Sequence, residues 1–152
     1  MSYGYCVWLV YNQNIFKTLH IAHITIMCFM TKTDALSLQK DIQTNIKGLS
    51  QYINVDIHCD KPFIFDDNYY GDIDKNNLKS WGYNVTCNQW DCIKNISKKY
   101  KGSLPDSLHT SIQYSYSGSD ISMKSERVLK NIPCVVCVSD ARDEDFKKWN
   151  CL

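Results

Sequence analysis

The spacing of hydrophobic and polar residues changes repeatedly along the 152-residue chain, and each change marks a predicted element. Short runs rich in β-branched and aromatic residues indicate strands, whereas apolar residues that recur every three or four positions indicate helices. The predicted strands span residues 3–11, 23–30, 81–87, 108–116 and 134–139, with one or two more within 53–65 that break near 61–62. The polar stretch 66–79 predicts a loop over one end of the fold.

Two helices are predicted between these strands. The first begins at Thr33 or Asp34, whose side chains can cap a helix by accepting a hydrogen bond from a free amide group, and it continues to Gly48. The second begins at Asn88 and stops before Gly102. Each half of the chain thus holds one helix. We therefore expect an α+β domain of two pseudo-symmetric lobes, with antiparallel sheets around a central cleft.

A short polar pattern, His-x-Thr/Ser followed by isoleucine, occurs twice, at residues 23–26 and 109–112. Both copies lie on predicted strands, where successive side chains point to opposite faces of the sheet. The histidine and the hydroxyl residue of each copy therefore share one face. These residues are His23, Thr25, His109 and Ser111.

Two such histidines facing each other are suited to acid–base catalysis. Only histidine has an unperturbed pKa, about 6.5, at which both protonation states exist near neutral pH. A hydroxyl on the same face can donate a hydrogen bond to a phosphate oxygen as charge develops there. No acidic residue stands at motif spacing, so we expect no metal and no cofactor. His20 and His58 lack the hydroxyl two positions later, and we interpret both as structural.

Composition and charge narrow the class of protein. A hydrophobic content of 44 % favours a globular chain, and the length favours one domain, residues 1–152. The formal net charge of +1 gives no electrostatic reason to expect a long nucleic acid as partner. A small anionic ligand remains possible, and we expect the chain to act as a monomer.

The N-terminal residues 1–11 lack a basic leader, and their apolar run is too short for a signal peptide. No stretch approaches the length of a membrane span, so no membrane partner is expected. We therefore expect a cytoplasmic protein whose eight cysteines are reduced.

A competing interpretation is a cysteine-ligated zinc interaction module. Cys87-x4-Cys92 and Cys134-x2-Cys137 together supply four thiols. The second pair, however, lies on a valine-rich predicted strand, where the two cysteines point to opposite faces. Buried free cysteines are the simpler interpretation.

The paired motifs, their separation and the elements around them resemble the two-histidine (2H, LigT-like) phosphoesterases. Members of that superfamily carry two His-x-Thr/Ser motifs in two pseudo-symmetric lobes. The early His-Ile-Thr-Ile, the helix after it and the late His-Thr-Ser-Ile all match, so the resemblance covers nearly the whole chain. It implies that His23 and His109 form the acid–base pair, and that Thr25 and Ser111 hold the phosphate, with serine replacing threonine at the last position.

Within the superfamily, the compact length and the composition look similar to viral 2′,5′-phosphodiesterases, found in the rotavirus capping protein and in coronaviruses and toroviruses. Those enzymes degrade 2′,5′-oligoadenylate and so blunt RNase L activation. The resemblance implies a metal-independent phosphodiesterase of the host cytoplasm. Phosphodiesterases of cyclic dinucleotides and of 2′,3′-cyclic phosphates share the motifs and remain alternatives.

An adenine base would need an apolar or aromatic wall. By strand alternation, Phe29 lies on the face of the first motif's histidine and Gln113 on that of the second, so both are candidate substrate-binding residues. The same alternation predicts that Tyr114 and Tyr116 point away from that face, towards the core.

Overall fold

The computed structural model describes residues 3–46, 52–65 and 79–152, and these residues form the α+β arrangement that the pattern predicts. Eight strands and two α-helices occur within them, and all strand pairings are antiparallel. The strands are β1 (Tyr5–Val10), β2 (His23–Met30), β3 (Ile53–Ile57), β4 (Phe63–Phe65), β5 (Lys79–Thr86), β6 (His109–Ser115), β7 (Leu129–Asp140) and β8 (Asn150–Cys151). The helices are α1 (Lys32–Asn45) and α2 (Trp90–Ser97).

The strand pairings close into a ring. The order is β1-β2-β6-β5-β3-β7, and β7 also pairs with β1. Strand β7 is long enough to serve two partners, since its first half pairs with β3 and its second half with β1. Strand β4 is attached to β5, and β8 to β7. This order places the two motif strands, β2 and β6, side by side.

The two faces of the sheet carry different apolar clusters. Ala35, Leu38 and Ile42 of α1 are buried in the larger core, together with Ile93 and Ile96 of α2. The opposite face carries a smaller cluster, called here the tryptophan cluster, which consists of Cys6, Trp8, Cys28, Ala141 and Trp149. Since α1 contacts β1 and β7, the helices cover the first face and leave the second to the C-terminal segment.

Most predicted elements are confirmed, with shifted ends. Strand β2 has the predicted bounds, whereas β7 begins at Leu129, ahead of the predicted start at residue 134. Helix α1 is capped by Thr31, whose Oγ1 accepts a hydrogen bond from the Asp34 amide at 3.2 Å, so the predicted caps were placed too late. Its predicted end at Gly48 lies outside the described residues, as does most of the predicted loop 66–79. No helix within the described residues is long and apolar enough to cross a membrane.

Candidate active site

The two motif strands meet at the middle residues of the two motifs. Ile24 of β2 pairs with Thr110 of β6 in antiparallel register. Both are fully buried on the helix side of the sheet, where the Tyr11 hydroxyl lies 2.6 Å from Thr110 Oγ1. Thr110 Oγ1 in turn donates to the backbone oxygen of His23 at 2.8 Å. The pairing is thus fixed by buried polar contacts as well as by the backbone.

This register brings the four predicted site residues to one face. Around the Ile24–Thr110 pair, His23 falls opposite Ser111, and Thr25 falls opposite His109. A local two-fold axis through the pair exchanges the two histidines and the two hydroxyl residues. The histidines are diagonal neighbours, for which the expected Cβ separation is about 7–8 Å or somewhat less. The two rings are close enough for His109 to lower the pKa of His23.

His23 is held between aromatic rings. Its ring stacks on Trp8 with 3.7 Å between centroids and 13° between planes, and the edge of Trp149 lies 6.4 Å away. Nδ1 lies 2.6 Å from the backbone oxygen of Ile21. That contact requires a proton on Nδ1 and leaves the lone pair on Nε2, so the neutral ring presents Nε2 as a base.

Burial dominates the electrostatics of His23. The side chain is 5 % exposed, and removal from water lowers the pKa of the ring to about 3. The neighbouring His20 and His109 lower this pKa further, while the hydrogen bond to Ile21 opposes the shift. His23 is therefore neutral at pH 7.

His109 has a related but more open environment. Its ring lies 3.9 Å from the Phe65 ring at an angle of 31°, and its side chain remains partly exposed. Burial lowers the pKa of His109 to about 4, and hydrogen bonding to the Ser107 backbone opposes that shift. In both motifs, hydrogen bonding to the backbone two positions earlier opposes the fall in pKa, and an aromatic ring packs against the imidazole. This similarity follows the local two-fold axis.

The two hydroxyl residues differ in their surroundings. Ser111 is buried, and its Oγ lies 3.1 Å from Oγ of Ser80 on β5. Thr25 is partly exposed and pairs with Trp8 of β1. Ser80 was not predicted, because no motif surrounds it and only the β5–β6 pairing brings it to the site. It extends the row of hydroxyls on the motif face.

His20, interpreted from the sequence as structural, lies beside the pair. Its Nε2 is 3.0 Å from the backbone oxygen of Ser111, and its ring is 5.9 Å from that of His23 in an edge-on arrangement. Burial lowers the pKa of His20 to about 4. It precedes β2 and follows no motif spacing, so the sequence carried no signal for this position. His58 lies across β5 from His109: its backbone N–H donates to the oxygen of Asn84, the strand partner of His109, and its Nε2 is 2.9 Å from Thr86 Oγ1.

A β-bulge interrupts β6 directly after the second motif. Trp81 pairs with Gln113, but the next residue of β5, Gly82, pairs with Ser111. Ile112 is therefore the extra residue of the bulge. Because side chains alternate with a period of two, one extra residue reverses the facing of everything that follows.

Because of the bulge, two predictions about which face of the sheet a side chain occupies are wrong. Gln113 does not share the face of Ser111: its Oε1 accepts a hydrogen bond from Trp81 Nε1 at 2.9 Å, and Trp81 belongs to the helix-side core. Tyr114 does not point into that core: it packs against the tryptophan cluster, 4.8 Å from the His20 ring. Tyr116 is 53 % exposed rather than buried.

Phe29 lies on the expected side of the sheet but far from the pair. It packs on Tyr3 with 5.6 Å between centroids, next to the tryptophan cluster. Its positive φ of 58° marks an irregularity of β2. It lies six positions after His23, a span of about 20 Å along a strand. The structure therefore does not bring Phe29 to the histidines.

The four cysteines of the competing zinc interpretation differ in their exposure to solvent. Cys134 is fully buried, Cys92 is exposed, and Cys87 and Cys137 are intermediate. Among residues 3–46, 52–65 and 79–152, no three histidine, cysteine or acidic side chains gather as metal ligands would. The zinc module therefore gains no support from these residues.

Acid should destabilise the protein through its buried histidines. The unfolded chain binds protons near pH 6.5, whereas in the folded chain the pKa is about 4 for His20 and about 3 for His23. The unfolded state therefore binds more protons in this range. The free energy of unfolding should fall as pH drops below 6.5, by up to about 1.4 kcal/mol per pH unit for each histidine.

Urea unfolding at pH 7, 6 and 5 measures this slope. His20→Gln should reduce the slope by one proton, whereas Ser117→Ala, which removes an exposed group that does not titrate, should leave it unchanged. A wild-type stability that is flat between pH 7 and 5 would contradict the burial of these rings.

Comparison of the chain with protein-family models finds no matching family, and comparison with curated proteins finds no match.

Proposed function

We propose that this chain is a metal-independent phosphodiesterase of the two-histidine kind, and that it cleaves a small nucleotide, with 2′,5′-oligoadenylate the favoured substrate. The observation that carries the proposal is the pairing of Ile24 with Thr110. That single register places two histidines and two hydroxyl residues on one face around a local two-fold axis. A chance pair of His-x-Thr segments has no reason to pair at its middle residues.

The same register supports the two-lobed organisation. One lobe would contain β1, β2 and α1, and the other β5, α2 and β6, with the motif strands adjacent at the junction. A phosphate on the local axis would then be approached by one histidine from each lobe. The continuous ring of strand pairings would hold the two lobes at a fixed spacing.

The environments of the two histidines suggest their roles. His23 presents a neutral Nε2 and is shielded from water, which suits a general base. His109 as a whole residue is less buried than His23, which suits the partner that must regain a proton between turnovers, the general acid. In a 2′,5′ linkage, His23 would take the proton of the attacking 3′-hydroxyl. His109 would give its proton to the departing 5′-oxygen, leaving a 2′,3′-cyclic phosphate.

The hydroxyl residues should matter less than the histidines. Thr25→Ala or Ser111→Ala removes one hydrogen bond to the phosphate but leaves both proton transfers. We expect kcat to fall by about 10-fold to 100-fold, below the loss for an oxyanion-hole donor that acts alone. Steady-state kinetics of both variants, with Ser117→Ala as the control on an exposed loop, measure the effect. Unchanged kinetics in both variants would exclude a role for these hydroxyls.

The pH dependence of the reaction should differ between free enzyme and complex. Because burial lowers the pKa values of both histidines, protonated His109 is scarce in the free enzyme at neutral pH. The value of kcat/KM should therefore fall as pH rises through neutrality. The bound phosphate anion favours the imidazolium and raises both pKa values, so the kcat profile should lie at higher pH. A rate that rises steadily up to pH 10 would contradict an acid histidine.

A panel of substrates in EDTA tests the proposal. It contains 2′,5′-oligoadenylate, 3′,5′-oligoadenylate, a 2′,3′-cyclic nucleotide and cyclic dinucleotides, and the products are separated by chromatography. We expect 2′,5′-oligoadenylate to disappear fastest. Preferred cleavage of a cyclic substrate would keep the chemistry and change the substrate. Activity that requires added Mg²⁺ or is lost with the chelator would contradict the mechanism.

If the linkage is 2′,5′, the reaction would remove the activator of RNase L. The protein would then act as an antagonist of that antiviral pathway, in the host cytoplasm. A cell assay of RNase L-dependent RNA cleavage, with and without the chain, tests this role separately from the chemistry.

A further inference from the structure

A cavity of about 360 Å³ opens next to the motif pair. It lies between the segment that precedes β2 and the part of β6 that follows the bulge. Its volume falls within the range of small-molecule sites, about 300–1,000 Å³. Its walls include Lys17, His20, Trp81, Gln113, Tyr114 and Phe146.

One side chain separates this cavity from the reacting groups. His20 forms part of the wall, and its ring lies 5.9 Å from the ring of His23 behind it. The same ring bonds to the backbone oxygen of Ser111 at 3.0 Å. A group that fills the cavity therefore contacts β6 directly and has the His20 ring between it and His23.

The cavity has an aromatic side. The rings of Tyr114 and Phe146 are 5.3 Å apart and inclined by 32°, and His20 meets Tyr114 edge-on at 4.8 Å. Such rings offer a flat apolar surface, which is the surface that nucleobases use for stacking. The bulge at Ile112 created this surface by turning Tyr114 to the motif face.

The cavity also has a polar side chain, Gln113, with hydrogen-bond donors and acceptors that are not all used. The Gln113 side chain accepts from Trp81 Nε1 at 2.9 Å and donates to the Asp120 backbone oxygen at 3.1 Å. An amide side chain has two donor hydrogens and two acceptor lone pairs. Beyond these two bonds, one donor and one acceptor remain on Gln113. They match the adjacent donor and acceptor on the edge of a nucleobase.

Charged side chains are distributed unevenly around the cavity. Lys17 is exposed at its mouth and can attract a phosphate. On the far side of Tyr114 and Phe146, a second cavity is lined by Asp143, Glu144, Asp145 and Lys147, and Asp120 lines both cavities. Carboxylates repel phosphates, so a phosphate is favoured at Lys17 and disfavoured towards Asp120 and the second cavity.

We propose that the cavity beside His20 is the subsite for a nucleoside adjoining the scissile phosphate, with its base against Tyr114 and Phe146 and a neighbouring phosphate at Lys17. This inference rests on the proposed function, because the function supplies the nucleotide as ligand. It adds the position of the base and the groups that hold it.

The indole N–H of Trp81 provides a direct probe. Four tryptophans give four indole signals in a ¹H–¹⁵N spectrum, and Trp81 Nε1–H lies at the cavity, bonded to Gln113. Adenosine and AMP should shift the Trp81 signal, while Trp90 on α2, at the helix side, should not move. Ribose 5-phosphate, which lacks a base, should not shift Trp81. A Trp81 signal that is unmoved by saturating AMP, or moved equally by ribose 5-phosphate, would overturn the subsite.

A charge reversal at the mouth separates base binding from phosphate binding. Lys17→Glu should weaken AMP binding by about threefold to tenfold, and leave adenosine binding unchanged. Lys40→Glu makes the same change on the exposed side of α1 and should alter neither. Equal loss of AMP affinity in both variants would mean that only overall charge matters, which contradicts the proposed position of the phosphate.

The two proposals fail in different ways. Turnover of 2′,5′-oligoadenylate with no response of Trp81 to nucleotides would refute the subsite and leave the catalysis intact. A Trp81 response to AMP without turnover of any nucleotide in the panel would support the cavity as a nucleoside site and refute the phosphodiesterase.

Discussion

Replacement of His23 or His109 by alanine should lower the turnover of 2′,5′-oligoadenylate by about 100-fold to 10,000-fold, the usual contribution of a positioned acid or base. Each variant leaves one proton transfer without its catalyst, so the barrier stays high whichever histidine is lost. The double variant should be little worse than either single variant, because the two residues act as a unit. Initial rates at several pH values measure the effect.

The matched control for these variants is His58→Ala, which removes a histidine whose ring bonds to Thr86 of β5 and to neither motif strand. Circular dichroism and urea unfolding establish that each variant is folded. His23→Gln provides a second test, since glutamine retains more of the volume that packs against Trp8. A folded His23 or His109 variant with more than a tenth of the wild-type rate would exclude the acid–base pair.

Replacement of Gly82 by alanine should be the most damaging change to the site's scaffold. A Cβ at this position would overlap the backbone oxygen of Thr110 and lie 2.9 Å from the Cα of Ser111. These are backbone atoms of the paired strand, and they cannot relieve the overlap by changing rotamer as a side chain can. The strands β5 and β6 would have to separate beside the second motif. We expect the free energy of unfolding to fall by about 3 kcal/mol or more.

The neighbouring variant Ser80→Ala is the control for Gly82→Ala. It removes the hydrogen bond to Ser111 Oγ without adding an atom, so it should cost only about 1 kcal/mol. Urea unfolding of both variants gives the comparison. If Gly82→Ala proved as stable as Ser80→Ala, the close approach of β5 to Ser111 would be incorrect.

The sequence predicted the motif strands well, because their signal is local. Strand β2 has the bounds that its hydrophobic run indicated, and β6 differs from its prediction by one residue at each end. Within the first three residues of each motif, alternation also predicted which side chains share a face. That success ended at Ile112, where the bulge reversed the alternation and exchanged the expected positions of Gln113 and Tyr114.

Other parts of the site depend on contacts between distant segments. Ser80 and His20 reach Ser111 only through tertiary structure, and neither has a distinguishing neighbour in the sequence. The burial of His23 depends partly on Trp149, which lies 126 positions later in the chain (149 − 23). A pattern confined to one strand contains no information about such contacts, so the pKa values of the histidines were not predictable from it.

The local two-fold axis through Ile24 and Thr110 bears on how many reactions one site can perform. In the proposed reaction, transfer of the phosphate to the 3′-hydroxyl and later hydrolysis of the resulting cyclic ester move protons in opposite directions between the two histidines. The histidine that is protonated by the first step is the donor that the second step needs, and the other has become the acceptor. A symmetric pair can therefore exchange duties without moving, and each turnover of two steps returns both rings to their starting protonation states. The cyclic ester should accordingly appear early in a time course and then be consumed by the same protein.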